Sequence, residues 1–338
     1  MKKTISAICS LLFFVLSINA MDFVTGGDNA FRLVHPDLLT GAASSAGGAF
    51  YYSGPGTISV NPAITAAEQR IMLNLGYTTL LKITDSTSVG GAAQLALLVP
   101  SKWGVFSGTF QGVFCEVGQL QLGNTIGLRA GFSKDITESL YAGIALNGGI
   151  RWYEETDWSL GLDLGFVYTI GKLGFLQNTR IGCAITNLGK PYDWGYSSIG
   201  NPRIGIAATL FSIANDNVAG GFSTDLSFPQ FMNIALDTGF QVLIANIITI
   251  KTAWQFNLRE TLSENYNLMP SIGITVKFKI NTKNNEFMAN KGWQQSEITT
   301  SGAWQQVYDG IQAISAGAAI NLGMKDIEAP KIVLWGEE

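Results

Sequence analysis

The sequence predicts an all-β protein: a transmembrane antiparallel β-barrel of about 14 strands with a small N-terminal plug. Three observations predict this fold. Long segments alternate between large apolar residues and small or polar ones. Only 14% of the residues are charged, against about 25% in soluble proteins. After residue 20, the chain has no apolar run long enough to cross a membrane as a helix.

The alternation is clearest in segment 157–171, where Trp158, Leu160 and Leu162 share one face and Ser159 lies on the other. Successive side chains of a strand point to opposite faces, so one face is apolar and the other small or polar. A soluble β-sandwich with one wet face is the alternative. The barrel is favoured because the segments are longer than typical soluble strands and because few long charged residues line the polar face.

The segments follow one another from residue 70 to residue 322, and their even number is typical of single-chain bacterial barrels. Short links are expected on the periplasmic side, and three longer links, Cys115–Leu122, Lys190–Gly200 and Glu260–Leu268, are expected outside. An even count then places both ends of the barrel in the periplasm. The predicted strands are 70–82, 91–100, 103–114, 123–134, 138–152, 157–171, 178–189, 201–213, 217–228, 231–243, 246–259, 269–281, 295–304 and 312–322.

The N-terminus has the pattern of a secretory signal peptide, predicted as residues 1–20. Two lysines precede the apolar run Ile5–Leu16, and a small residue, Ala20, stands at the expected cleavage site. A membrane anchor is the alternative, but this run is too short to span a bilayer. The predicted location is the outer membrane of a Gram-negative-type bacterium, and residues 323–338 are expected to form a C-terminal periplasmic tail.

Residues 21–69 do not alternate and are predicted to form a plug inside the barrel. Asn61 is a good helix N-cap and Pro62 suits the first helical position, so a short helix is expected over Ala63–Arg70. A loose periplasmic leader is the alternative, and the plug is favoured because the segment contains many apolar residues that need burial. Its aromatic residues are candidates for an apolar lining: Phe50, Tyr51 and Tyr52.

The small-residue stretch Gly41–Ala49, the Gly-Pro-Gly segment that follows it and Asn61-Pro62-Ala63 just before the first strand resemble the outer-membrane long-chain fatty-acid transporter (FadL-like) family. Its spirochaetal relatives of unassigned function look closest. The resemblance covers nearly the whole mature chain. It implies a plugged barrel that carries hydrophobic molecules, such as long-chain fatty acids, across the outer membrane by diffusion. The polar C-terminal tail and the short loops depart from the family pattern.

The resemblance also implies a lateral opening in the wall beside a kinked third strand. Gly104, Gly108 and Gly112 recur on the outward face of the predicted third strand. Glycine weakens a strand and often marks a bend, so these residues are the candidates for such an opening.

Basic residues predominate on the predicted lumen face or at its rims, where nine cations stand against Asp163, Asp225 and Asp237. The nine are Arg70, Arg129, Arg151, Arg180, Arg203, Lys251, Arg259, Lys277 and Lys279. A charged passage attracts molecules of the opposite sign, so the lumen is expected to favour cargo with an anionic head. The alternative is that these cations pair with acids, plug carbonyls and water and only hold the plug. The candidate ligand-binding cations are Arg129, Arg203, Arg151, Lys251 and Lys277.

Composition excludes several other functions. A net charge of −4 argues against a nucleic-acid partner. The single histidine, His35, makes a histidine-rich metal site impossible, and the chain has no G-x-S-x-G, so no enzyme, cofactor or metal is expected. Cys115 and Cys183 are expected to be free. The expected partners are outer-membrane lipid, a hydrophobic small molecule and the barrel-assembly machinery. A non-transporting structural or secretion-scaffold barrel is the alternative function.

Overall fold

The protein is a closed antiparallel β-barrel in which each strand pairs with its neighbours in the chain and the last strand pairs with the first. A computed structural model describes residues 30–40, 43–83, 88–152, 155–192, 200–213, 217–263, 269–281 and 295–323. The predicted fold class is confirmed, and the described part of the chain contains 14 strands. They are β1 (Ile71–Lys82), β2 (Ser88–Ser101), β3 (Gly104–Val117), β4 (Leu120–Asp135), β5 (Leu140–Trp152), β6 (Thr156–Leu173), β7 (Leu176–Lys190), β8 (Asn201–Ile213), β9 (Val218–Ser227), β10 (Ala235–Ile244), β11 (Ile248–Asn257), β12 (Ser271–Asn281), β13 (Gln295–Gln306) and β14 (Gln312–Leu322).

The two faces of the wall follow the alternation in the sequence. In β1, Leu73, Leu75 and Tyr77 are exposed on the outside, whereas Asn74 and Thr78 between them are buried in the lumen. Large apolar side chains are exposed on the outside of the other strands in the same way. An outward apolar surface is what a barrel wall in contact with lipid needs. No helix among the described residues is long and apolar enough to span a membrane.

The first residue of β1 and the last residue of β14 lie at the same end of the barrel, because Ile71 pairs with Leu322. We call this end of the barrel the terminal end and the opposite one the distal end. The predicted long links 190–200 and 260–268 fall at the distal end, between β7 and β8 and between β11 and β12. The predicted long link Cys115–Leu122 is wrong, because β3 continues to Val117 and β4 begins at Leu120.

The described residues of 30–69, which are 30–40 and 43–69 and which we call the lumenal segment, lie inside the barrel. They contain the helix α1 (Pro36–Leu39) and three 3₁₀ helices, Ala30–Val34, Pro55–Ser59 and Pro62–Ala67. The last of these lies where the sequence predicts a helix. The predicted signal peptide 1–20, the first residues of the predicted plug and the tail beyond residue 323 lie outside the described residues.

Glycines on the inner wall let the lumenal segment lie directly on the strands. Gly143 of β5 pairs with Gly165 of β6, and both face the lumen. A Cβ atom at Gly165 would lie against the side chain of Asn61 and 2.9 Å from Cδ of Pro62, and one at Gly143 would overlap the Pro62 backbone. Any larger residue at these positions would therefore push the segment off the wall.

Candidate functional site: the lumen and its N-terminal segment

Asn61 joins the lumenal segment to the barrel wall. Its Oδ1 accepts a hydrogen bond of 3.0 Å from the Ala63 amide and caps the helix that begins at Pro62. Its Nδ2 donates to the carbonyl oxygens of Ser45 at 2.7 Å and of Phe166, on β6, at 3.0 Å. The side chain is fully buried, so each of these bonds is made away from water. The Asn61-Pro62-Ala63 motif thus has a positioning role that follows from its geometry.

Arg180 of β7 holds a second part of the segment. Its guanidinium donates to the carbonyl oxygens of Gly48 at 2.6 Å, Ala49 at 3.0 Å and Ala46 at 3.3 Å. The same group lies 4.8 Å from the ring centroid of Tyr51. Arg180 therefore holds the lumenal segment through its carbonyl groups. This agrees with the alternative hypothesis that the inward cations hold the plug and do not bind cargo.

Asp225 of β9 anchors a third point. One carboxylate oxygen accepts from the Ser44 hydroxyl at 2.7 Å, and the other accepts from the Ser45 amide at 2.7 Å. Because the carboxylate is fully buried, its charge needs these donors.

Arg203 of β8 differs from the other candidate cations. Its side chain is 1% exposed and lies 4.0 Å from Asp225 and 3.9 Å from Asp237, both longer than a hydrogen bond. The guanidinium also lies 5.5 Å from the ring centroid of Phe31. Within the described part of the chain, Nε, Nη1 and Nη2 of Arg203 have no hydrogen-bond partner. Asp237 pairs through Oδ1 with Arg32 of the lumenal segment at 2.6 Å, and its Oδ2 is the atom 3.9 Å from Arg203.

Arg129 of β4 is fully engaged with its neighbours. Its Nε donates to Asp163 at 2.6 Å, and its Nη2 donates to the side-chain oxygen of Asn187 at 3.0 Å. Arg151 of β5, a second candidate, lies over the ring of Tyr192 at 5.3 Å. These residues lie near the distal half of the wall formed by β4 to β7.

A small polar cavity lies beside Arg129, with a volume of about 30 Å³. Its lining includes Gln111, Asn147, Ser159 and Tyr192. The space is enough for a water or two and too small for a lipid-like molecule. The residues that the structure describes contain no group of three or more His, Cys, Asp or Glu side chains able to hold a metal ion.

Lys251 of β11 forms a buried ion pair with Asp37 of α1, which also accepts a hydrogen bond of 3.2 Å from Thr275. Burial alone would raise the pKa of Asp37, but the charges of Lys251 and His35 and the hydrogen bonds from Lys251 and Thr275 together outweigh it and lower the pKa to about 2. Burial lowers the pKa of His35, whose Nδ1 accepts from the Asp37 amide at 3.1 Å. Lys251 is thus paired with the lumenal segment.

The aromatic candidates are not arranged as a continuous apolar lining. The Tyr51 ring packs against Tyr141 of β5, with 6.2 Å between centroids. The Tyr52 hydroxyl accepts a hydrogen bond of 3.0 Å from Asn74, and its ring lies 5.6 Å from Nζ of Lys251. Phe50 is half-buried, as is the remaining candidate cation, Lys277 of β12.

Three acids that the sequence does not place in the lumen reduce the expected excess of basic charge there, while Arg32 of the lumenal segment adds one more cation. Asp37 pairs with Lys251, while Glu68 and Glu297 both pair with Arg70. Two of these acids belong to the lumenal segment, which has no strand periodicity to indicate which side chains face the wall. Arg259, expected on the lumen face or at its rim, is half-buried in the short helix α2 (Leu258–Leu262), which directly follows β11.

The lateral opening expected beside the third strand is not present in this structure. The pairing of β3 with β2 is continuous from Ser101↔Gly104 to Gly91↔Phe114, and the pairing with β4 is continuous from Val105 to Cys115. Gly104, Gly108 and Gly112 therefore lie in an unbroken ladder. Strand glycines allow a bend, but the intact hydrogen bonds on both sides keep this strand in the wall.

The tip of the β3–β4 hairpin leaves the wall and covers the distal mouth. Pairing between β3 and β2 ends at Phe114, and the register with β4 shifts between Cys115 and Glu116. Beyond this bulge the hairpin passes the end of β2, where a Cβ at Gly90 would lie 2.7 Å from the Phe114 carbonyl and 2.9 Å from Cγ2 of Val117. We call the segment Cys115–Leu122 the lid.

A hydrogen bond to a salt-bridged carboxylate fastens the lid to the nearby rim formed by the end of β1 and the β13–β14 turn. Asp309, in the β13–β14 turn, forms an ion pair with Lys82 at the end of β1. The same carboxylate oxygen accepts a hydrogen bond of 2.9 Å from the Gln119 amide in the lid. Asp309 adopts a left-handed φ of 60°, which directs its side chain toward these partners. We call Lys82, Gln119 and Asp309 the latch.

Beneath the lid lies the main apolar cluster of the described residues, which we call the mouth cluster. The lid, the lumenal segment and the distal ends of the neighbouring strands all contribute side chains to it. Because these side chains are buried, the distal end of the lumen is apolar while the region below it is polar. The cluster comprises Leu33, Val34, Leu38, Leu39, Val60, Leu80, Ala92, Val113, Cys115, Val117, Leu120, Leu122, Ala303, Tyr308, Ile311 and Ala313.

Sequence reasoning missed the lid, although a signal for it exists. Cys115, Val117, Leu120 and Leu122 are all apolar and all buried, where an inward strand face near a wet mouth should be small or polar. The prediction of two free cysteines is confirmed, with Cys115 buried in the lid and Cys183 exposed on the outer face.

The chain is similar in fold to known barrel channels. The toluene transporter TodX of Pseudomonas putida has 11% sequence identity and a TM-score of 0.51, over 90% of this chain and 100% of that one. The deltaS2S3 mutant of the TodX monoaromatic hydrocarbon channel has 13% identity and a TM-score of 0.50, over 84% of this chain and 99% of that one. At such identities the likeness establishes the fold alone.

Comparison by sequence adds little. No protein-family model matches the chain. A stretch of 115 residues, 30% of this chain, is 28% identical to the human chloride channel protein ClC-Ka, and the chain spans only 16% of the length of that relative. A match over so small a part of that relative establishes neither the fold nor the function of this chain.

Proposed function

We propose that this protein is a channel in the outer membrane of a Gram-negative-type bacterium through which hydrophobic small molecules diffuse, with the lumenal segment as its plug. The mouth cluster is the observation that carries the proposal. It is a packed group of buried apolar side chains at the distal mouth, contributed by the lid, the plug and the neighbouring strand ends. An apolar mouth suits hydrophobic cargo, whereas a water-filled pore for polar solutes is lined by polar side chains.

The fold supports the same assignment. TodX, whose fold this chain shares, is described as a toluene transporter. The resemblance of Asn61-Pro62-Ala63 and the preceding segment to FadL-like transporters points in the same direction. A relationship to the spirochaetal members of that family is part of the proposal.

Transport is tested by accumulation of radiolabelled dodecanoate and of toluene in cells that lack their own fatty-acid channel and produce this chain. We expect faster accumulation of at least one compound than in cells producing an unrelated barrel at equal abundance. The proposal would be refuted if, with the chain correctly inserted, neither compound accumulated faster than in the cells producing the unrelated barrel.

A fatty acid is the cargo that the candidate cations favour. Arg203 is the best of them, because its buried guanidinium has no hydrogen bond among the described residues, whereas Arg129 and Lys251 are paired. A carboxylate near Arg203 would gain a charge-assisted hydrogen bond. We expect Arg203→Ala to weaken dodecanoate binding by about tenfold or more, since a hydrogen bond to a charged group contributes roughly 1.5–3 kcal/mol.

Dodecanol is the matched ligand for this test, since it has the same tail and no charge. Its binding, measured by calorimetry in detergent, should change little in Arg203→Ala. If the acid and the alcohol bind equally to the unmodified protein, the inward cations are structural and the cargo has no anionic head.

A second function, a structural or secretion-scaffold barrel that never opens, is favoured by one observation. Asn61, Arg180 and Asp225 together fix the plug to the wall through buried hydrogen bonds. The scaffold predicts that neither compound binds or accumulates, and that variants loosening the plug impair an assembly rather than uptake.

A further inference from the structure

We propose that Lys82 receives the anionic head of an amphipathic cargo at the distal mouth, and that this exchange releases the lid so that the apolar tail enters the mouth cluster. The inference rests on the proposed function and deepens it by naming a first binding site and a cargo with a carboxylate head and an aliphatic tail. It places this site at the latch, apart from the candidate cations Arg129, Arg151, Arg203, Lys251 and Lys277.

The position of Lys82 carries the first step. Lys82 continues the inward face of β1 just beyond Leu80, which is fully buried in the mouth cluster. Its side chain is 20% exposed, so the ammonium lies at the boundary between water and the apolar compartment. A molecule with an anionic head and an apolar tail matches this arrangement: its head can pair with the ammonium while its tail points toward the mouth cluster.

The chemistry of the latch carries the second step. Asp309 already offers Lys82 a carboxylate, so a carboxylate from the cargo would replace it with the same charge and the same hydrogen bonds. Asp309 would then lose the cation that compensates its charge. Because the same oxygen of Asp309 also holds the Gln119 amide, its movement away from Lys82 would free the tip of the lid.

The lid provides the space for the third step. Val117, Leu120 and Leu122 of the lid are buried, and they belong to the same cluster as the plug residues Leu33 and Val34. When the lid lifts, an aliphatic tail can occupy the volume that these side chains leave. The tail then covers the apolar surface of the plug that the lid has left, which lowers the free energy of the open state when cargo is present.

The test is the rate at which the full chain, purified in detergent at pH 8, associates with cis-parinaric acid or with the corresponding alcohol. Both probes become fluorescent in an apolar site, so stopped-flow mixing reports their entry. The decisive quantity is the ratio of the acid rate to the alcohol rate. In the parent protein this ratio should exceed one, because Lys82 attracts only the acid.

Two variants that both break the latch should separate the roles of its members. Lys82→Met and Asp309→Asn should each speed entry of the alcohol, because each frees the lid. Lys82→Met removes the cation that binds the carboxylate, so the acid-to-alcohol ratio should fall about tenfold toward one. Asp309→Asn keeps that cation, so the ratio should stay at or above the parent value. Lys82→Arg should keep the ratio above one.

The control is a second ion pair at the same end of the barrel. Lys190 lies 3.1 Å from Asp157 at the ends of β7 and β6 and is not part of the lid. Lys190→Met and Asp157→Asn should leave both rates within about twofold of the parent. Retention of the folded, heat-resistant barrel in each variant excludes unfolding as the cause of a change.

The inference is overturned if the acid-to-alcohol ratio survives Lys82→Met, or if neither latch variant speeds entry of the alcohol. In both outcomes binding itself persists, so the proposed function stands. If neither probe binds the parent protein or any variant, the proposed function fails and this inference fails with it.

Discussion

At the scale of single residues, the lumen is organised by side chains that connect two parts of the chain distant in sequence. Asn61 bonds to β6, Arg180 of β7 bonds to carbonyls of the lumenal segment, and Asp37 pairs with Lys251 of β11. Each polar group finds its partner only because the barrel has closed around the segment. This explains why the sequence indicated which residues face inward but not which of them meet.

Asn61→Ala should loosen the lumenal segment. The change removes the helix cap and leaves two buried carbonyls without a donor, a loss of about 2–4 kcal/mol in local stability. Hydrogen exchange followed by mass spectrometry should show faster exchange over residues 43–67. Asn124→Ala is the control, because Asn124 bonds only to the exposed side chain of Glu116 among the described contacts and should leave exchange in that region unchanged.

Acid should weaken the attachment of α1 through Asp37. The folded-state pKa of Asp37, about 2, is below its ordinary value of 3.8, so this stabilisation is fully present above pH 4 and is lost as the pH falls toward 2. The loss is on the order of 2 kcal/mol for a shift of this size. The urea midpoint of the protein, measured from pH 6 to pH 2, should fall less steeply in Asp37→Asn than in the parent. Identical slopes would show that the pair with Lys251 contributes no stability.

At the scale of secondary-structure elements, the strands were predictable and the lid was not. Period-two alternation depends only on which face meets lipid, so it marks every strand, including β13, where polar residues weaken the pattern. The lid depends instead on a bulge at Cys115 and on a distant turn at Asp309, and neither leaves a local pattern. The apolar inward residues Val117 and Leu120 were the available signal.

The inward glycines of β5 and β6 should be intolerant of any side chain. Gly165→Ala should displace Asn61 and Pro62, because the added Cβ would overlap the Asn61 side chain. We expect the variant to conduct ions in planar bilayers more often than the parent. Gly148→Ala is the matched control, since a Cβ at that glycine would meet its nearest atom at 3.5 Å, an ordinary contact.

The same conductance measurement can contradict this interpretation. If the two alanine variants behave alike, close approach at Gly165 does not hold the segment in place. A variant that inserts poorly is distinguished by its lower yield of heat-resistant barrel.

At the scale of the whole molecule, the composition already indicated a wall with lipid on one side. The mature chain should therefore fractionate with the outer membrane and show circular dichroism dominated by β-strands in detergent. A barrel of this kind should also migrate differently in gels before and after boiling. Recovery as a detergent-free monomer from the periplasm would contradict the membrane assignment.

The pairing of β1 with β14 has a consequence for how the protein must be made. Ile71 and Leu322 are separated by nearly the whole barrel in sequence, so this seam is expected to form last. The lumenal segment ends just before β1, at that seam. The end of the barrel at which the wall is sealed is therefore also the end from which the lumenal segment reaches its seat on β5 and β6.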